Sequence, residues 1–132
     1  MYATAEGTAR YTGRYPEYRD NAFYRSVLNL SVSSLGIGTY LGKQDDTADR
    51  AYTDSLLAAA EQGINFFDTA INYRGQRSER CIGAALKQLQ RDEIVICTKA
   101  GFLTPGAVPS SLAAEDVAGG MHSMAPDFLA DH

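Results

Sequence analysis

Gly63-Ile64-Asn65-Phe66-Phe67-Asp68-Thr69-Ala70-Ile71-Asn72-Tyr73-Arg74-Gly75-Gln76-Arg77-Ser78-Glu79 decides how this chain is read. An apolar run ends in a carboxylate, a short polar loop carries a tyrosine, and a new helix begins. Apolar residues occupy alternate and intervening positions of the run alike, as in a strand covered on both faces within a parallel sheet. A second run, Glu93-Ile94-Val95-Ile96-Cys97-Thr98, ends in Lys99. Side chains alternate along a strand. Ile64, Phe66 and Asp68 therefore share one face, as do Val95, Cys97 and Lys99.

Helices are expected on either side of Gly63–Thr69. The first spans Asp46 or Thr47 to Gln62, with one of those two residues as cap and Asp45 and Asp49 favouring the positive end of the dipole. Tyr52, Leu56, Ala59 and Ala60 share its apolar face, and Gly63 fits the position after its end. The second runs from Ser78 to Gln90 with the stripe Ile82, Ala85, Leu86 and Leu89. Leu35-Gly36-Ile37-Gly38-Thr39-Tyr40 forms a short strand upstream. Before it, Phe23–Val27 and Ser31–Leu35 suggest a hairpin. Strand, helix, strand, helix, strand implies right-handed crossovers and a parallel sheet, hence an α/β fold. Residues 101–124 read as a long loop, and a helix is expected from Ala125 or Pro126, with Ser123 as cap. Residues 1–21, with Tyr11, Tyr15 and Tyr18 among Arg10, Arg14 and Arg19, show no period and read as a polar, loosely docked extension. Residues 22–132 make up the folded unit.

The chain has 132 residues, 45% of them hydrophobic, enough for one domain with a core. A formal charge of −4 argues against a nucleic-acid partner. No apolar run approaches the roughly 20 residues of a membrane helix. The first residues lack the charged and apolar regions of a secretory signal, so a cytoplasmic protein is expected. Cys81 and Cys97 have no metal-ligand spacing. No metal is expected, and both read as buried, reduced thiols.

If the sheet curves, Asp68 and Lys99 point inward at the C-terminal rim, where barrel enzymes place their chemistry. Tyr73, five residues on, lies in the loop above that rim. Taken singly, Asp68 with Lys99 is a structural ion pair and Tyr73 a packed aromatic. Taken together they make a proton donor. Tyrosine near pKa ~10 is a poor acid at neutral pH, and a neighbouring ammonium makes its ionisation easier. Burying two such charges also carries a desolvation cost that stability seldom explains. The glycines of Gly36-Ile37-Gly38-Thr39-Tyr40-Leu41-Gly42 have one residue too many for a dinucleotide fingerprint, and the helix starts too late for one.

Asp68-Thr69-Ala70, Tyr73, Gly75 and Ser78-Glu79 together resemble the aldo/keto reductase signature around its catalytic Asp and Tyr. Thr98-Lys99 resembles that family's catalytic Lys, and Leu35–Thr39 its first strand, whose Gly-Thr lies beside the nicotinamide ribose. The resemblance covers residues 23–101. It implies a TIM (β/α)8 barrel of about 250 residues, with the first three βα units present here and a hairpin closing the barrel bottom. It further implies NADPH (NADP) as cofactor, a small-molecule carbonyl substrate, catalysis by Asp68, Tyr73 and Lys99, and cofactor contacts from Gly38, Thr39 and Asp68. Arg74 stands where many relatives have Gly. The family's fourth catalytic residue, a histidine, follows the next strand; His122 and His132 do not match it and read as solvent-facing. The chain is therefore expected to be the N-terminal part of such an enzyme and inactive alone. The alternative is a non-catalytic partner subunit or a protein-binding product.

Overall fold

The computed structural model describes residues 2–19, 21–103, 112–119 and 121–130. At its centre lies a parallel sheet of three short strands, β3 (Ile37–Gly38), β4 (Phe66–Asp68) and β5 (Val95–Cys97), in the order β3-β4-β5. The parallel pairing is the one implied by the alternation of strands and helices. The ladder continues beyond both ends of β4, where Val95 N–H donates to the Asn65 carbonyl and Thr69 N–H to the Cys97 carbonyl, both at 2.8 Å.

Helices α2 (Asp46–Glu61) and α3 (Arg77–Leu86) pack together. Leu56 and Ala60 of α2, Phe67 of β4, Cys81, Ile82 and Ala85 of α3, and Ile94 form the buried core. Leu56, Phe67 and Ala85 have no exposed surface, and burying a side chain like Leu56 contributes about 1.5–3 kcal/mol. The N-cap of α2 is Asp45, one residue before the expected caps, and its carboxylate accepts from Ala48 N–H at 2.8 Å. Gly63, at φ +89, ends the helix as expected, since L side chains are disfavoured there. Helix α3 stops at Leu86, short of Gln90. Residues 91–93 take a 3₁₀ turn that redirects the chain into β5, and Leu89 still packs on the core from the connection.

Cys81 is buried as expected, but Cys97 is exposed. Cys97 lies on the sheet face of Phe66, Asp68 and Lys99, opposite the helices. Parity placed it there; the error lay in assuming that both faces are covered.

The largest correction concerns residues 1–21. Ala5–Gly13 form a helix, α1, capped by Thr4, whose hydroxyl accepts from Gly7 N–H at 2.9 Å. Gly7, Thr8 and Tyr11 are buried. A side chain on Gly7 would start 2.3 Å from the Asp92 carbonyl oxygen, so helix and turn touch backbone to backbone. The Tyr11 hydroxyl donates to the Ala60 carbonyl at 2.6 Å, and Tyr15 donates to the same carbonyl at 2.9 Å, satisfying the end of α2. Arg10 holds Asp92 and Glu93, and Arg14 holds Glu93. The segment is thus a docked clasp. Its periodicity was invisible because Tyr11 is the one large apolar side chain that α1 buries.

Strands β1 (Tyr24–Val27) and β2 (Leu30–Ser33) form the expected antiparallel hairpin. It lies against the N-terminal ends of β4 and β5, joined there by Asn65. That fully buried side chain accepts from Ser33 N–H at 2.9 Å and donates to the carbonyls of Ser31 at 2.9 Å and Glu93 at 3.2 Å.

Within residues 101–124, expected as loop, the described part contains a short antiparallel pair, β6 (Val117–Ala118) with β7 (His122–Ser123). His122 is exposed, with its ring 3.9 Å from that of Phe102. Helix α4 (Pro126–Ala130) follows, and Ser123 Oγ accepts from Ala125 N–H at 3.2 Å. His132 lies outside the described residues. Among the described residues no helix is long and apolar enough to cross a membrane.

Candidate active site

The C-terminal ends of β3, β4 and β5 bring the expected residues to one rim. Lys99 follows β5, and its ammonium donates to Asp68 Oδ2 at 2.7 Å. The same nitrogen lies 5.0 Å from the centre of the Tyr73 ring. The hydrogen bond to Asp68 raises Lys99 above its ordinary pKa; desolvation opposes this, and Tyr73 adds a smaller upward push. Lys99 is therefore an ammonium at neutral pH. Lys99 and Asp68 side chains are 45% and 36% exposed, so the deep burial expected of the pair is not found. A pair this open contributes at most about 1 kcal/mol to stability.

Gly38 pairs directly with Asp68 and is exposed, with open space where a side chain would begin. Thr39 is fully buried. Its amide and hydroxyl both donate to the Asp68 carbonyl, at 3.1 and 3.0 Å, and its own carbonyl accepts from Ser78 Oγ at 2.6 Å. Thr39 thus fastens β3 and the first turn of α3 to the strand end that carries Asp68, and its hydroxyl faces away from solvent.

Several neighbours went unnoticed in the sequence. Tyr40 meets Tyr73 edge to face with centroids 4.9 Å apart. Thr98 Oγ1 donates to Glu79 Oε1 at 2.7 Å, tying the residue before Lys99 to α3. Arg74 has a positive φ of 51° and a side chain only 1% exposed. The left-handed conformation costs a residue other than Gly about 1–2 kcal/mol. That cost is offset by hydrogen bonds to the Lys43 carbonyl and Asp49, and by stacking 4.8 Å over Tyr52. Arg77 also holds Asp49 and Asp46. The signal was available: two arginines three residues apart, and two spare carboxylates in the first turn of α2.

The rim, with an Asp-held ammonium beside a tyrosine at the ends of adjacent parallel strands, defines a candidate proton-transfer site on an α/β scaffold. The aldo/keto reductase family profile matches residues 34–128, and the chain belongs to that family. Over 80 residues it is 34% identical to an NADH-specific methylglyoxal reductase of Escherichia coli (strain K12), covering 57% of this chain and 24% of the relative. It is 40% identical over 80 residues to a probable aldo-keto reductase 1 of Glycine max, covering 58% and 23%. It is 32% identical over 98 residues to a probable voltage-gated potassium channel subunit beta of Arabidopsis thaliana, covering 73% and 29%. The matches thus span less than a third of each relative's length.

Proposed function

We propose that this chain forms the first part of a (β/α)8 oxidoreductase that reduces aldehydes or ketones to alcohols with a nicotinamide dinucleotide. The observation that carries the proposal is the Lys99 ammonium, held at 2.7 Å by Asp68 and lying 5.0 Å from the Tyr73 ring. Tyr73 donates a proton to the substrate's carbonyl oxygen as the carbonyl carbon is reduced. Lys99 stabilises the negative charge left on the phenol oxygen, and Asp68 fixes the position of Lys99. A reduced nicotinamide supplies hydride when bound. The fit of its ring to the rim rests on exposed Gly38, which leaves room beside Asp68. Thr39 keeps these strand ends together. NADPH is the cofactor implied by the resemblance, and NADH the one named for the Escherichia coli relative.

The test splices residues 34–128 into the Escherichia coli relative in place of the segment that corresponds to them and follows methylglyoxal reduction with NADPH and NADH. The chimera is expected to turn over, and the 132-residue chain alone to stay at background. A folded chimera that binds the dinucleotide but reduces no carbonyl contradicts the proposal.

A second reading, a non-catalytic partner subunit, is favoured by the match to the Arabidopsis thaliana relative. The presence of Asp68, Tyr73 and Lys99 together speaks for the first.

A further inference from the structure

We propose that Arg74 is a positioning residue that fixes Tyr73 over Lys99, a role that rests on the reductase reading of Tyr73. In the loop carrying Tyr73, the Tyr73 amide donates to the Ala70 carbonyl at 3.0 Å, and backbone support weakens beyond it. Arg74, Gly75 and Gln76 all have positive φ, at 51°, 63° and 68°. The hydrogen bonds from Gly75 N–H to the Asn72 carbonyl and from Ser78 N–H to the Tyr73 carbonyl are long, at 3.3 and 3.5 Å.

Arg74 supplies what the backbone lacks. Its Nε and Nη2 both donate to the Lys43 carbonyl, at 2.9 and 2.6 Å, Nη2 also donates to Asp49 Oδ1 at 2.6 Å, and Nη1 lies 3.7 Å from Cys81 Sγ. These partners belong to three places: the loop after β3, the first turn of α2, and α3. One planar fork therefore ties the Tyr73 loop to all three, and lysine has no such geometry. The left-handed backbone sends Arg74 inward while Tyr73 faces Tyr40 and Lys99. Glycine would relieve the backbone strain but would leave the loop unanchored. Arg74 touches neither Lys99 nor Asp68, so it acts through Tyr73.

The test uses the full 132-residue chain with tyrosine labelled by ¹³C at Cζ, the Tyr73 signal being assigned with Tyr73→Phe. Lys99→Met is expected to shift the Tyr73 signal, because the ammonium lies 5.0 Å from the ring. In the Arg74→Gly background that shift is expected to shrink about twofold or more, as coupling between the two residues is lost. Asp49→Asn, which keeps the shape but weakens the anchor, is expected to reduce it by about a third or more. Should Arg74→Gly fail to fold by circular dichroism, Asp49→Asn decides. A folded variant that keeps the full shift overturns the positioning role. The readout needs no turnover, so a chimera that reduces no carbonyl while the Tyr73 coupling is intact defeats the reductase reading alone.

Discussion

Replacing Asn65 with Leu removes the join between the hairpin and the parallel sheet while keeping the number and branching of side-chain heavy atoms. Three hydrogen bonds disappear: from Ser33 N–H, to the Ser31 carbonyl and to the Glu93 carbonyl. The first and last are buried, so Ser33 N–H and the Glu93 carbonyl lose a partner where water does not replace it. Each such orphan costs about 1–3 kcal/mol. The Ser31 carbonyl is only partly buried and adds less. The leucine's own apolar burial offsets part of the loss, leaving about 2–4 kcal/mol. For a domain of this size that is a large share of the usual ~5–15 kcal/mol. Urea titration is expected to show a lower midpoint at unchanged slope, and hydrogen exchange a selective loss of protection at the Ser33 amide. A change below about 1 kcal/mol with Ser33 still protected would mean that Asn65 does not hold the hairpin in place.

Tyr11 and Tyr24 are raised well above the ordinary tyrosine value, chiefly by burial. Stability from a raised group is complete below its unfolded value of ~10 and is lost as pH rises through the folded value. Unfolding above about pH 10 is therefore expected, with both phenols ionising only as the chain opens, as followed by absorbance near 295 nm; Tyr11→Phe should move the transition to higher pH, and ionisation of all eight tyrosines without unfolding would refute this. Cys97 should react quickly with an aromatic disulfide reagent and Cys81 only on unfolding, since Cys81 is buried and its thiol is raised by desolvation; two fast thiols would put Cys81 at the surface.

The strand-helix alternation was legible because long apolar stripes and Gly63 leave strong local signals. The hairpin was visible from two short strand-like runs close together in sequence. Helix α1 was not, since its docking depends on Tyr11 and on the distant pairings of Arg10 and Arg14 with Asp92 and Glu93. Cys97 was misplaced because parity assigns a face but not what covers it. At the rim, strand ends and alternation placed Asp68 and Lys99 together. The contact of Tyr40 with Tyr73 was hidden, because loop conformation with positive φ leaves no periodic trace, whereas the grip of Arg74 on Asp49 left a signal only in the pattern of charges.

Carbonyl reduction by the chimera, compared with its Tyr73→Phe form, tests the proton donor most directly. The phenol hydroxyl acts in the transition state, so its loss should lower kcat by about 10²-fold or more while leaving nicotinamide binding, followed by cofactor fluorescence, nearly unchanged. Equal turnover by the chimera and its Tyr73→Phe variant would remove the proton donor and contradict the assignment of this rim.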